Sequence, residues 1–205
     1  MNVTLVYGFD PLCGWCFGFA PALRRIRAEF TGLPIEVRMG GLITGNRIRP
    51  YMEAAAYITQ ASARLRAVTG VSLGQSFHTR ILANPAVISS SVPPCDVLLQ
   101  LRAEQPDAVL DVAEALQRAH FGNGLDLNDH ATYAGIAREL GITLNMRIPA
   151  PDAVRPELAA EFAAVRALGI TSYPSLILDR DGELTPVELS YDPATAVSRI
   201  GSMLG

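Results

Sequence analysis

Cys13 and Cys16, separated by Gly14-Trp15, are the side chains of this 205-residue chain best placed to do chemistry. Two thiols three residues apart can cycle between a dithiol and a disulfide. They follow an apolar, β-branched run from Val3 to Tyr7 and a turn from Gly8 to Leu12. They precede a helical pattern in which Phe17, Ala20, Leu23, Ile26 and Phe30 recur, with Pro21 inside it. A helix N-terminus offers unpaired N–H groups and a partial positive charge, and both favour a thiolate. The thiolate is the species that attacks a disulfide. Cys13, at or beside the helix cap, is therefore the expected nucleophile, and Cys16, one turn inside, the buried resolving thiol. Gly14-Trp15 adds neither positive charge nor proline rigidity, and Asp10 opposes the thiolate. Cys13 is thus expected to ionise below the free-thiol value of about 8.5, though less far below than in a strong oxidant. Trp15, between the cysteines, is expected to form an exposed apolar rim that binds substrate.

Each of these residue types has another use. Cys-x2-Cys also opens zinc sites, but a zinc site needs a second ligand pair. Only Cys95, His78, His120 and His130 remain, none at ligand spacing, so redox chemistry is the reading and no metal is expected. Asp10 either assists proton transfer at Cys16 or caps the turn at Pro11. Cys95, after Pro93-Pro94 at a helix start, is either a third redox thiol with thiolate character or an inert packed cysteine. His120, at the end of an apolar helix beside Phe121, reads as a core histidine. Phe9, Phe17 and Phe19 flank the cysteines as either a peptide-binding surface or core.

Composition narrows the function classes. The formal net charge of -3 leaves no footprint for nucleic acid or an anionic membrane. Every basic residue other than histidine is Arg, so lysine Schiff-base chemistry is excluded. Three cysteines are too few for an extracellular disulfide framework. Met1-Asn2 leads into the first strand with no basic leader or cleavage site, and no apolar run is long enough to span a membrane. A cytoplasmic protein is the expectation.

The elements that must position the cysteines alternate at both ends of the chain. Pro34 to Met39 reads as a second strand, with Ile35, Val37 and Met39 on one face. From Gly45 to about Ala150 the pattern is helical without a strand signal, over Tyr51–Val68, Pro94–Ala103, Asp107–His120 and Asp129–Leu140. A helix follows over Pro156–Leu168, stopped by Gly169. Ser175–Leu178 and Leu184–Leu189 read as a hairpin turning at Asp181-Gly182. Asp192-Pro193 caps a last helix to Met203. The fold class is α/β. A thioredoxin-like domain is expected over residues 1–44 and 151–205, with a helical insertion over 45–150.

That order resembles the thioredoxin fold with an all-helical insertion, and more narrowly the DsbA family of thiol-disulfide oxidoreductases, in its cytosolic group of protein-disulfide isomerases. The residues that carry the likeness are Asp10-Pro11-Leu12-Cys13-Gly14-Trp15-Cys16-Phe17-Gly18 and Gly40-Gly41-Leu42. Leu116-Gln117-Arg118-Ala119-His120-Phe121 and Arg166 to Ile170, leading into Tyr173-Pro174, match less specifically. The resemblance implies a cis Pro174 facing the cysteines, with the backbone at Tyr173 pairing with an extended substrate segment. It implies protein or peptide disulfides as substrates, glutathione or a thioredoxin system as redox partner, and no cofactor. Two relatives of other function share the pattern: redox-sensing adaptor proteins, and glutathione-dependent isomerases of aromatic carboxylates, which carry Ser where this chain has a cysteine.

Overall fold

The structure is a computed structural model, described here for residues 2–144 and 146–205. Strand β1 (Val3–Phe9) runs through the turn at residues 10–13 into helix α1 (Gly14–Glu29), and β2 (Ile35–Met39) returns parallel to β1. Parallel pairing needs a crossover, which α1 supplies. Near the other end of the chain, β5 (Ser175–Arg180) and β6 (Glu183–Val187) form a hairpin, and β5 lies antiparallel to β1. The sheet order is β2-β1-β5-β6, with Leu5 opposite both Ile35 and Leu178. The hairpin turns at Asp181 and Gly182, both at positive φ (51° and 93°), the geometry that a two-residue turn between twisted strands requires.

Side-chain alternation along β1 fills both faces of the sheet. Leu5, Tyr7 and Phe9 join the main core with Phe19, Leu23 and Ile26 of α1. Val6 points the other way, onto Val165, Ile170 and Ile177. Helix α7 (Pro156–Ala167) carries Val165 to that face, and α8 (Pro193–Leu204) packs against α1. Each such buried aliphatic or aromatic side chain contributes roughly 1.5–3 kcal/mol.

The segment between β2 and α7 contains α2 (Ala55–Thr69), α4 (Val92–Glu104), α5 (Val109–Gln117) and α6 (His130–Leu140), with a helical turn α3 (Gln75–Phe77) between α2 and α4. Both α3 and α5 run on into π-helical turns, His78–Leu82 and Arg118–Gly122. Two corrections to the sequence reading fall here. First, the segment does hold strands: β3 (Arg49–Pro50) pairs antiparallel with β4 (Ile88–Ser89). Two residues a side are too short to leave an alternating pattern. Second, residues 75–82 are helical, although Gln75, Ser76, His78 and Thr79 break any apolar stripe.

A buried carboxylate ties the helical segment to the sheet. Glu161 of α7 receives Arg38 Nε of β2 at 2.9 Å and Arg102 Nη2 of α4 at 2.6 Å, and the backbone N–H of Met39 at 3.2 Å. Burial alone would raise its pKa, but Arg102 and Arg38 outweigh burial and hold it below the usual carboxylate value.

Candidate active site

Cys13 is the N-cap of α1, in extended conformation, and its Sγ accepts the backbone N–H of Cys16 at 3.4 Å. That contact is the usual helix cap, with sulfur in place of a hydroxyl or carboxylate oxygen. On its other side the Cys13 thiol donates to the carbonyl oxygen of Tyr173 at 3.2 Å. The Tyr173–Pro174 bond is cis, and it is the carbonyl just before Pro174 that meets Cys13. Both cysteines are free; Cys13 is 5% exposed and Cys16 not at all. Burial, followed by the neighbouring Cys13, pushes the Cys16 thiol well above its ordinary value, so Cys16 rests protonated.

Asp10 is fully buried directly beneath this turn. Its Oδ1 accepts the Leu12 N–H and the Ser91 hydroxyl, both at 2.9 Å, and its Oδ2 accepts the Leu42 N–H at 2.6 Å. Of its two readings, capping of the turn is the one these contacts display. The same carboxylate joins three parts of the chain: the cysteine turn, the Gly40-Gly41-Leu42 loop and the start of α4. Burial raises the pKa of Asp10, against the lowering effect of those three donors.

Cys95 is wholly buried in the first turn of α4, with Sγ 3.9 Å from Asp10 Oδ2. Burial and then the Asp10 charge push its thiol well above the ordinary value. Of its two readings, the inert packed cysteine is the one this setting displays: desolvation and a facing carboxylate outweigh the helix terminus. Phe9 and Phe19 are core, whereas Phe17 is half-buried against Phe121 with ring centroids 5.5 Å apart. Among the described residues no group of three His, Cys, Asp or Glu side chains could hold a metal ion, and no helix is long and apolar enough to cross a membrane.

Several residues at the site were given no role by sequence reasoning, although Gly40 and Gln117 lie in the runs that carry the resemblance. Gln117 of α5, buried, donates its amide to the carbonyls of both Asp10 (3.3 Å) and Cys13 (3.1 Å). Tyr191 stacks obliquely on Trp15 at 5.5 Å and edge-on to Phe19 at 6.0 Å. Trp15, expected as an exposed rim, is half-buried against the core, and Arg64 Cζ lies 5.9 Å from its ring centroid. Gly40 admits the Tyr173 ring; a Cβ there would lie 1.8 Å from Tyr173 Cζ. None of these partners is close in sequence to what it touches, so no local pattern marks them.

A cavity of about 660 Å³ opens beside Cys13, between the cysteine turn, the loop after β2, helix α2 and residues 171–173. It lies within the size range of small-molecule sites. Its wall is mainly apolar, with Leu12, Trp15, Leu42, Ile58 and Leu65 among its residues.

Neither a protein-family model nor a curated protein sequence matches the chain. Solved structures do. The cytosolic disulfide reductase DsbM from Pseudomonas aeruginosa is 25% identical, with a TM-score of 0.80 over 98% of each chain. The same reductase with GSH superposes with a TM-score of 0.78 at 23% identity, again over 98% of each chain. A candidate protein disulfide isomerase from Nitrosomonas europaea is 24% identical, with a TM-score of 0.80 over 100% of this chain and 98% of that one. At 12% identity, 2-hydroxychromene-2-carboxylate isomerase shares the fold alone, with a TM-score of 0.57 over 98% of this chain and 95% of that one. Because the correspondence with the reductase runs through both the sheet and the helical segment that divides it, this chain is a DsbA-like protein of the thioredoxin fold.

Proposed function

We propose that the protein is a thiol-disulfide oxidoreductase that reduces or isomerises protein or peptide disulfides through Cys13 and Cys16. The observation that carries this is the placement of Cys13 Sγ between the Cys16 N–H and the Tyr173 carbonyl. One contact supports a sulfur anion; the other is an acceptor on which an extended substrate can align. Cys13 thiolate attacks one sulfur of the substrate disulfide, and the other sulfur leaves as a thiolate that takes up a proton. Cys16 then attacks Cys13, closing the 13–16 disulfide and releasing the second substrate thiol. Two electrons pass to the substrate, and two equivalents of a thiol such as glutathione return them. Part of what raises the Cys16 pKa comes from the Cys13 thiol, and that part disappears once Cys13 is bonded to substrate. The resolving thiol thus becomes easier to ionise when its turn comes.

The reductive direction, a cytoplasmic setting and glutathione as the recycling thiol are supported by the likeness to a cytosolic disulfide reductase that has been solved with GSH. The test is equilibration of the reduced protein with glutathione disulfide, followed by mass mapping. A 13–16 disulfide is expected in wild type, and a trapped glutathione adduct on Cys13 in Cys16→Ser. Cys13→Ser is expected to reduce a protein disulfide no faster than free glutathione does. Absence of the 13–16 disulfide, or turnover that survives Cys13→Ser, overturns the reading.

A further inference from the structure

The cavity beside Cys13 carries a charge that nothing in the protein uses. Arg47 and Arg49 line it, and no Asp or Glu does so among the described residues. Neither guanidinium has a carboxylate within ion-pair distance among the described residues, whereas eight other arginines are paired in that way. Arg47 makes one contact, to the Gly41 carbonyl at 3.4 Å. It feels the charge of Asp10, but the Asp10 oxygens are already taken by Leu12, Leu42 and Ser91. A chain of net charge -3 therefore places two free cations in the wall of the pocket next to its reactive sulfur. The rest of that wall is mainly apolar, and Tyr57 stands at it 73% exposed, the most exposed large hydrophobic side chain among the described residues.

We propose that this cavity selects low-molecular-weight disulfides that join an anionic group, a carboxylate, to an apolar body. The carboxylate meets Arg47 and Arg49, and the apolar part lies against Trp15, Tyr57 and Ile58. Charge complementarity names the ligand class: two unpaired guanidiniums favour an anion, and apolar walls favour an aromatic or aliphatic body over a fully hydrated one. The step is the exchange already described. Cys13 bonds to one sulfur of the ligand, the other sulfur leaves as a thiolate, and Cys16 displaces the first. The inference rests on the thiol-disulfide reading of the cysteine pair and adds a small-molecule substrate class to it.

Two aromatic disulfides test it, the dianionic dithiobis-nitrobenzoate and the uncharged dithiodipyridine. Each is mixed with the reduced protein, and the rate constant for attack by Cys13 is measured. The readout is the ratio of the two rate constants, which cancels any general loss of thiol reactivity. Changing both Arg47→Gln and Arg49→Gln is expected to lower that ratio at least about tenfold. Arg47→Lys with Arg49→Lys should retain most of it, and raising ionic strength should lower it in wild type and in the Lys variant but not in the Gln variant. A ratio in the Gln variant within about twofold of wild type, or one equally insensitive to salt in both proteins, overturns the proposal. Failure of both disulfides to react at Cys13 overturns the redox reading instead, so the two failures are distinguishable.

Discussion

Asp10 shows how much a single side chain can be asked to hold. Its two oxygens receive two backbone N–H groups and a hydroxyl from three separate parts of the chain. Asparagine has the same shape, but its amide nitrogen would present a donor to one of these donors. Asp10→Asn is therefore expected to destabilise the fold by about 1–3 kcal/mol, read from a denaturant midpoint. The same change removes one of the charges that raise the Cys16 pKa, so alkylation of Cys16 in a Cys13→Ser background should shift to lower pH. An unchanged midpoint together with an unchanged alkylation profile would remove Asp10 from both roles. Asp10 was noticed for its place three residues before Cys13, but its other two partners, Leu42 and Ser91, lie 32 and 81 residues away in sequence.

Among the elements, α5 has the most direct hold on the site. Its last residue, Gln117, reaches across 104 residues of sequence to the Cys13 carbonyl and also to that of Asp10. Gln117→Leu keeps the bulk and removes both bonds, leaving the Asp10 carbonyl with the Cys13 N–H alone and the Cys13 carbonyl with the Phe17 N–H alone. A loss of about 1–3 kcal/mol in stability is expected, with slower closure of the 13–16 disulfide in stopped-flow measurements. Recovery of the closure rate in Gln117→Asn or Gln117→His would show that the donor, not the packing, sets the turn. The elements legible in the sequence were those with local signals. Alternation marked β2, the Asp181-Gly182 turn marked the β5–β6 hairpin, and Asp129 and Asp192 marked helix starts that they do cap. Gly141 and Gly169, both at positive φ, marked helix ends. The β3–β4 ladder and the π-helical turns were illegible, since they arise where tertiary packing bends a short stretch against its own pattern. The cavity was illegible for a related reason. Arg47 and Arg49 look like ordinary surface cations until α2 is seen opposite them.

For the whole molecule, one buried core runs from Phe9 and Leu23 of the sheet region through Leu98 and Leu116 of the helical segment to Phe162. His120 lies inside it. Its Nδ1–H donates to the Leu125 carbonyl at 3.0 Å, which leaves Nε2 to accept the Tyr51 hydroxyl at 2.8 Å. Burial lowers its pKa from 6.5 to about 4. In the unfolded chain the imidazole takes up a proton below about pH 6.5, while the folded chain resists until about pH 4. The unfolded state thus binds more protons in that window, so stability is full above it and falls as pH drops through it. The shift corresponds to about 3 kcal/mol. Denaturant midpoints measured from pH 7 to pH 4 should fall in wild type and fall less steeply in His120→Asn. Equal slopes would show that other groups govern the acid limb.

Trp15 is the only tryptophan in the chain, and it sits in the same helical turn as both reactive sulfurs. Indole emission from the intact protein therefore originates at one place, under Tyr191 and beside Arg64. The molecule carries its own optical reporter at the reaction centre. Ligand entry, mixed-disulfide formation and ring closure can each be followed in real time on unlabelled wild-type protein, with no background from the rest of the fold.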